Sequence, residues 1–387
     1  MLNIARCSLF AVVLLVLLAH ACVPSTASDA GALTNPVARF AESHFARHGA
    51  KLPTRQFLAA LRAAAVDTRH LSCRKSLVLL GMANEEALEH TVPLFLESLR
   101  RVPVTDGKHG GRSLDQHLVL VAWSGAALAA CQALNSRYGH TCVRDAEHTA
   151  ATGSFGFHDA GFNSLGFAKI KYILNGLSAG HDVVFLDTDI IVLQDPLPYF
   201  LGRGADMWGS MEKCMIYPDR MSFHSTEFQA FHKKLPPINI GVLYFKATAG
   251  VTRCVYSWLM EMYTEVLNRP RVWDQDLYGK VMVKCTALHE LRWQVLDPRL
   301  FQSACFPGCG CSFSDSDMTD PERVGKFAKG HRPDRQGRCS PEHFSSWLMR
   351  HFPCSGLTHQ KAKLMTGLME GFFNSTSAVI TRNRRRQ

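Results

Sequence analysis

The segment 182–200, Asp-Val-Val-Phe-Leu-Asp-Thr-Asp-Ile-Ile-Val-Leu-Gln-Asp-Pro-Leu-Pro-Tyr-Phe, constrains the fold more than any other part of the chain. Val183 to Leu186 form an apolar run rich in β-branched and aromatic side chains, the pattern of a strand buried on both faces. The run stops at two carboxylates, Asp187 and Asp189, one threonine apart, and Asp195 before Pro196 closes the segment. Unpaired carboxylates at the end of a buried strand are costly. A divalent cation removes that cost. Hard oxygen ligands suit Mg²⁺ or Mn²⁺, whose remaining positions commonly carry substrate phosphates. The pair therefore predicts a metal–diphosphate site at a sheet edge.

The surroundings of the pair predict an α/β fold. Upstream, 163–180 reads as a helix: Phe167, Ile170, Ile173, Leu174 and Leu177 repeat at helical spacing, Asn163 or Ser164 suits a cap, and Gly180 suits a left-handed stop. Earlier still come a strand at 76–81 and a helix over 85–102 with Leu88, Val92, Phe95, Leu96 and Leu99 on one face. A strand at 117–123 and a helix over 126–134 follow. Such alternation predicts a mainly parallel central sheet flanked by helices, with ligands at the carboxyl ends of its strands. The second half is less regular. It offers a strand at 240–245 after Asn239 and an amphipathic helix through Val255, Trp258, Leu259, Met262 and Val266. A loop-rich stretch, 302–346, reads as an elaboration of the same domain on the acceptor side.

The flanks speak of the secretory pathway. Residues 1–23 carry Arg6 ahead of an apolar stretch centred on Leu14 to Leu18, with Ala19-His20-Ala21 as an A-x-A cleavage candidate. This predicts either a signal anchor, giving a single-pass type II protein of the Golgi lumen, or a cleaved signal and a secreted protein. Residues 24–72 read as a stem, 73–370 as the catalytic domain and 371–387 as a basic tail. Thirteen cysteines fit an oxidising compartment. The cluster Cys305, Cys309 and Cys311 lacks the paired C-x₂-C spacing and close histidines of structural zinc sites, which favours disulfides. Asn374-Ser375-Thr376 is a glycosylation sequon. The net charge of +10 suits an anionic sugar nucleotide, and no basic-aromatic module points to nucleic acid.

Several segments in order resemble the nucleotide-diphospho-sugar transferases that include plant and algal cell-wall arabinosyltransferases. The block runs from Lys169 through Gly180 to Asp187-Thr188-Asp189 and Asp195-Pro196. Asn239-Ile240-Gly241-Val242-Leu243-Tyr244 is similar to that family's Asn-x-Gly strand, and Asp274-Gln275 to its Asp-Gln motif. Leu296-Asp297-Pro298 with Phe301, and His351 followed by Gly356 and Lys361, resemble its later blocks. The resemblance covers roughly 75–365. It implies a glycosyltransferase-A-type domain with a Rossmann-like nucleotide half, a manganese-dependent donor site, and retention of anomeric configuration.

Roles for individual side chains follow. Asp187 and Asp189 would hold Mn²⁺ or Mg²⁺, and His351 would add a nitrogen ligand that tilts the choice to Mn²⁺, with His359 a nearby alternative. By the family's spacing Lys169 reaches the nucleotide or donor sugar, and Lys361 or Lys363 brings charge to the β-phosphate. Asp274 and Gln275 beside Trp273 suit a sugar, polar atoms on hydroxyls and a ring on the apolar face. Asn239 would meet donor or acceptor hydroxyls or brace its strand, and Gly241 would let the donor approach the backbone. No residue identifies itself as a nucleophile. The expected activity is transfer of arabinose or galactose from a UDP-sugar to a glycoprotein or cell-wall glycan. The alternatives are a lumenal metal-dependent nucleotide phosphodiesterase and a non-catalytic secreted carbohydrate-binding protein.

Overall fold

Each central strand has side chains on two faces, and here both faces are covered. The computed structural model describes residues 53–68, 76–104, 111–145, 160–212, 214, 238–269, 272–305, 308–309 and 345–384, apart from the side chains of 160–163, 267 and 374–384. Seven strands form the main sheet: β1 (Leu77–Ala83), β2 (Leu118–Ala122), β3 (Thr141–Arg144), β4 (Asp182–Leu186), β6 (Met207–Met211), β7 (Ile238–Phe245) and β8 (Trp293–Val295). Their order is β3-β2-β1-β4-β7-β6-β8. The first four are parallel, β7 runs antiparallel between β4 and β6, and β8 is parallel to β6. Because β7 reverses twice, β4, β6 and β8 still end at one edge.

The period-2 alternation divides the core. Val78, Leu80, Val183, Phe185, Leu243 and Phe245 face one apolar layer, with Tyr172, Trp258 and Tyr278 from helices α5 (Ala160–Ser178), α7 (Ala249–Asn268) and α8 (Asp274–Leu288). Leu77, Leu79, Val184, Leu186, Val242 and Tyr244 face the other, with Phe95 of α3 (Val92–Arg100), Ala127 of α4 (Gly125–Leu134), Phe200 of α6 (Leu197–Gly202) and Met365 of α9 (Thr358–Arg384). Burial on both faces is why Val183–Leu186 reads as a continuous apolar run. The expected α/β architecture, mainly parallel and sandwiched by helices, is the one observed.

Several boundaries differ from expectation for local reasons. The helix expected over 85–102 is two helices, α2 (Glu85–His90) and α3, because Pro93 has no N–H to continue the first and sits instead in the opening turn of the second. Helix α5 begins at Ala160, so the caps expected at Asn163 or Ser164 lie inside it. Gly180 does end it: φ is +85°, and the His181 N–H donates to the Gly176 carbonyl across the turn.

Part of the expected stem is core. Arg55–Ala64 forms α1, capped by Thr54, and buries Phe57, Ala60, Leu61 and Ala64 beside Tyr172, while Val66 pairs its backbone with Leu77. The expected tail starts inside α9, where Phe372 is buried and the Arg101 guanidinium lies over Phe373. Residues 1–23, the signal segment, lie outside the described residues. No described helix is long and apolar enough to cross a membrane. Among the described residues four disulfides join Cys131–Cys142, Cys214–Cys309, Cys254–Cys285 and Cys305–Cys354, so Cys305 and Cys309 each sit in a disulfide as expected, and Cys311 lies outside the described residues.

A second sheet of three short strands, β5 (Ile190–Val192), β10 (Met349–His351) and β9 (Phe301–Ser303), was not legible in the sequence. It begins directly after Asp189. Strand β10 pairs antiparallel with β5, His351 opposite Ile190, and parallel with β9, His351 opposite Ser303. This register carries a residue from the end of the chain to the tip of β4.

Candidate active site

Four parallel strands and β6 end at the edge where Asp187 leaves β4. Its backbone N–H donates to the Gly241 carbonyl at 2.8 Å, fixing the β4 tip against β7. The Phe352 N–H donates to the Asp189 carbonyl at 3.0 Å, extending the β5–β10 ladder to the acid pair. His351 Nε2 then stands 3.0 Å from Asp189 Oδ1 and 3.7 Å from Asp187 Oδ2. One ligand atom from each of Asp187, Asp189 and His351 lies within 4.8 Å of the others. Two carboxylates and one imidazole converging in this way fit a divalent first-row cation. His359, the alternative ligand, packs its ring on His90 instead.

Two lysines complete the electrostatics. Lys169 Nζ is 3.0 Å from Asp187 Oδ1, donates to the Ile240 carbonyl at 3.3 Å and lies over the Phe185 ring. Burial works to lower its pKa, but Asp187 and then Asp274 outweigh burial and raise it, so the lysine is charged. Lys361 Nζ donates to Asp189 Oδ2 at 2.7 Å, whereas Lys363 is exposed. Burial pushes the Asp189 carboxyl up, yet Lys361 and His351 together hold it well below the usual carboxylate range. Asp274 is buried at the first turn of α8, and burial pushes its carboxyl up against the pull of Lys169. The structure thus brings Asp187, Asp189, His351, Lys169, Asp274 and Lys361 to one place.

Gly241 and Asn239 shape the wall beside the acid pair. An added Cβ on Gly241 would sit 2.1 Å from the His351 ring, so the missing side chain makes room for the imidazole. Asn239 is buried and braces its strand: its Oδ1 accepts from the Gly241 N–H at 2.8 Å and from Ser210 Oγ at 3.2 Å. Asp195 takes no part in the acid cluster and accepts from the Leu197 N–H at the start of α6. Trp273 flanks α8 at its N-cap, its N–H donating to Asp276 Oδ2 at 3.5 Å. One side chain was missed, Glu212, which follows β6 and accepts from Gln275 Nε2 at 2.6 Å. Its only sequence signal was position after a strand that Gly209 and Ser210 disguise.

Among the described residues one other group could hold a metal, Cys131, His140 and Cys142, and its cysteines are joined to each other. His140 there is pushed down to about 4 by burial and stays neutral.

Comparison with known proteins gives the chain's family. A UDP-D-xylose:L-fucose alpha-1,3-D-xylosyltransferase 3 from Arabidopsis thaliana is 28% identical over 186 residues, 45% of this chain and 44% of the relative, so the match spans less than half of that protein. Among solved structures, mouse xyloside xylosyltransferase 1 aligns with 15% identity and a TM-score of 0.37, covering 72% of this chain and 98% of that one. The galactosyltransferase LgtC, in complex with donor and acceptor sugar analogues, aligns with 13% identity and a TM-score of 0.36 over 75% of this chain and 95% of that one. The model of the nucleotide-diphospho-sugar transferase family matches residues 113–332, which include Asp187, Asp189, Asn239 and Asp274. With more than half of its length matched, the chain belongs to the nucleotide-diphospho-sugar transferases and is a nucleotide-sugar glycosyltransferase.

Proposed function

We propose that this glycosyltransferase is metal-dependent, takes a UDP-sugar, and transfers the sugar with retention to a hydroxyl of a glycoprotein or cell-wall glycan. The observation that carries the reading is the convergence of Asp187, Asp189 and His351 within 4.8 Å at the strand tips. These three would hold Mn²⁺ or Mg²⁺, the imidazole favouring Mn²⁺. Bound there, the ion would supply Lewis-acid neutralisation of charge on the departing diphosphate. Lys361, already 2.7 Å from Asp189, adds a point charge on the side where a phosphate would lie. Lys169 holds Asp187 from behind, and Asp274 stands beside it for a sugar hydroxyl.

The donor sugar is a pentose on this reading. The sequence resemblance points to arabinose or galactose, and the plant relative's name specifies xylose. Arabinose and xylose are both pentoses, which favours a pentosyl donor over galactose, a hexose. The N-terminal apolar segment supports a place in the Golgi lumen, anchored as a type II protein, or secretion after cleavage.

The test is a thermal-shift and turnover screen of the full chain with UDP-xylose, UDP-arabinose and UDP-galactose, with and without Mn²⁺. A ligand bound only by the folded state raises the apparent melting temperature. Stabilisation by UDP-sugar should require the ion, chelation should abolish UDP release, and Mn²⁺ should restore it. Asp187→Ala and Asp189→Ala should each cut turnover roughly a thousandfold. Chelator-resistant turnover, or near-normal rates in both variants, would refute the metal assignment.

A further inference from the structure

Strand β6 delivers Glu212 to the sheet edge that carries Asp187, just past a register shift between Gly209 and Ser210 opposite Asn239. Bulges of this kind re-aim side chains beside active sites. The Glu212 carboxylate accepts from Gln275 Nε2 at 2.6 Å. The other end of the same amide is also engaged: Gln275 Oε1 accepts from the Ile240 N–H at 3.3 Å and from Asn239 Nδ2 at 3.5 Å.

An amide is nearly symmetric in shape, and partners alone decide which end is which. An ionised carboxylate only accepts, and a backbone N–H only donates. Placed at opposite ends of Gln275, they permit one orientation. The oxygen is turned to the backbone one residue before Gly241, whose missing side chain seats His351. What Gln275 still has to offer is its second Nε2 hydrogen. Among the described residues no cation pairs with Glu212, so the amide is its partner in place of a salt bridge.

We propose that Glu212 is a positioning residue for the transfer reaction: it holds Gln275 with the amide nitrogen toward the substrate, so that Gln275 donates a hydrogen bond to a hydroxyl or ring oxygen of the transferred sugar. The inference rests on the glycosyltransferase reading above. It assigns Gln275 the part of a hydrogen-bond donor, its oxygen being turned to the Ile240 N–H.

The test compares Glu212→Gln, Gln275→Ala and the double variant with the full-length parent, reading Mn²⁺-dependent UDP release from UDP-xylose and UDP-arabinose. In Glu212→Gln the new side chain both donates and accepts, so the Gln275 amide can turn over. The expected result is a fall in kcat of about tenfold with KM nearly unchanged. In the Gln275→Ala background the same substitution should have almost no further effect, since residues acting through one another are not additive. Equal losses in both backgrounds, or an unchanged kcat in Glu212→Gln, would overturn the proposal while leaving the functional reading intact. Should Glu212→Gln fail to fold, Glu212→Asp and Glu212→Ala in the two backgrounds measure the same coupling. A parent that releases no UDP from any nucleotide sugar overturns the functional reading and the proposal with it.

Discussion

Two clusters of buried acids in this molecule are built inside out relative to each other. Around Glu97 the acid is inside and the cations are outside. Its side chain is 8% exposed, and Arg100, Arg101 and Arg137, at 46%, 42% and 65%, reach in from solvent at 2.8, 2.9 and 3.1 Å. At the β4 tip the order is reversed for the first acid: Lys169 is 7% exposed behind Asp187 at 29%, and His351 is 5% exposed behind both carboxylates. The first arrangement keeps each cation hydrated and closes every oxygen, which suits a structural brace. The second turns acid oxygens outward and keeps the compensating charge in the wall, which suits a ligand of opposite sign. The choice of cation agrees. Planar guanidinium groups hold a fixed fork, whereas a lysine is a point charge that can change partners.

The sharpest way to break this comparison is to remove the charge in the wall. Lys169→Met deletes the cation that Asp187 and Asp274 share, and an uncompensated buried charge costs about 3–5 kcal/mol. The penalty has a predictable pH dependence. Burial already holds the Asp274 carboxyl above its unfolded value, and without Lys169 the pull that opposes burial is gone, so stability is retained at low pH and lost as pH rises past the ordinary carboxylate range. Mn²⁺ should return part of the loss, because it supplies positive charge to Asp187. Chemical denaturation near pH 5 and pH 8 with and without Mn²⁺ measures both effects. A variant as stable as the parent at high pH would mean that Asp187 and Asp274 are solvated and the cluster is ordinary surface.

A smaller loss is expected from Gly241→Ala. The added carbon would lie 2.1 Å from His351 Cε1, so the imidazole or the strand must shift. Overpacking of this kind costs about 1–3 kcal/mol. Displacing a ligand should weaken metal binding by about 10–100-fold. Mn²⁺ titration followed by melting temperature separates the two, and an unchanged midpoint would show that His351 is not a ligand.

Legibility in the sequence tracked how far apart in the chain the cooperating residues lie. Val183–Leu186 and the acids after it could be read at once, since strand, burial and charge change within seven positions. The helical face of 55–64 could be read as a helix, but its docking on Tyr172 depends on residues more than a hundred positions away. Strand β6 was hidden because Gly209 and Ser210 interrupt its pattern at the bulge, and β5, β9 and β10 have three residues each, too few for periodicity. His351 entered by family resemblance alone. Its pairing opposite Ile190 is a matter of register that no local pattern encodes. Gly241 announced a close approach without saying of what. Glu212 carried no signal, because an acid after an unrecognised strand looks like any surface acid.

The mildest test addresses the other member of the pair. Burial pushes Glu97 upward, but Arg100 and Arg101 outweigh it and bring the carboxyl down to about 2 from 4.5. A depressed value in the folded state means that the acid stabilises the fold above its unfolded value and ceases to do so as pH falls toward the folded one. Glu97→Gln keeps the shape and removes the charge, leaving three guanidinium groups that water can still reach. The expected loss at neutral pH is therefore about 1–2 kcal/mol, well short of that for a stranded buried charge. Between pH 4.5 and about 2 the parent should lose this advantage, so that the two stabilities converge there. Donor turnover per folded molecule should not change, because Glu97 and its arginines belong to the brace and not to the site. A gap in stability that held constant through acid would mean that the arginines stabilise by packing, as Arg101 does over Phe373, and that the inside-out contrast is one of shape rather than charge.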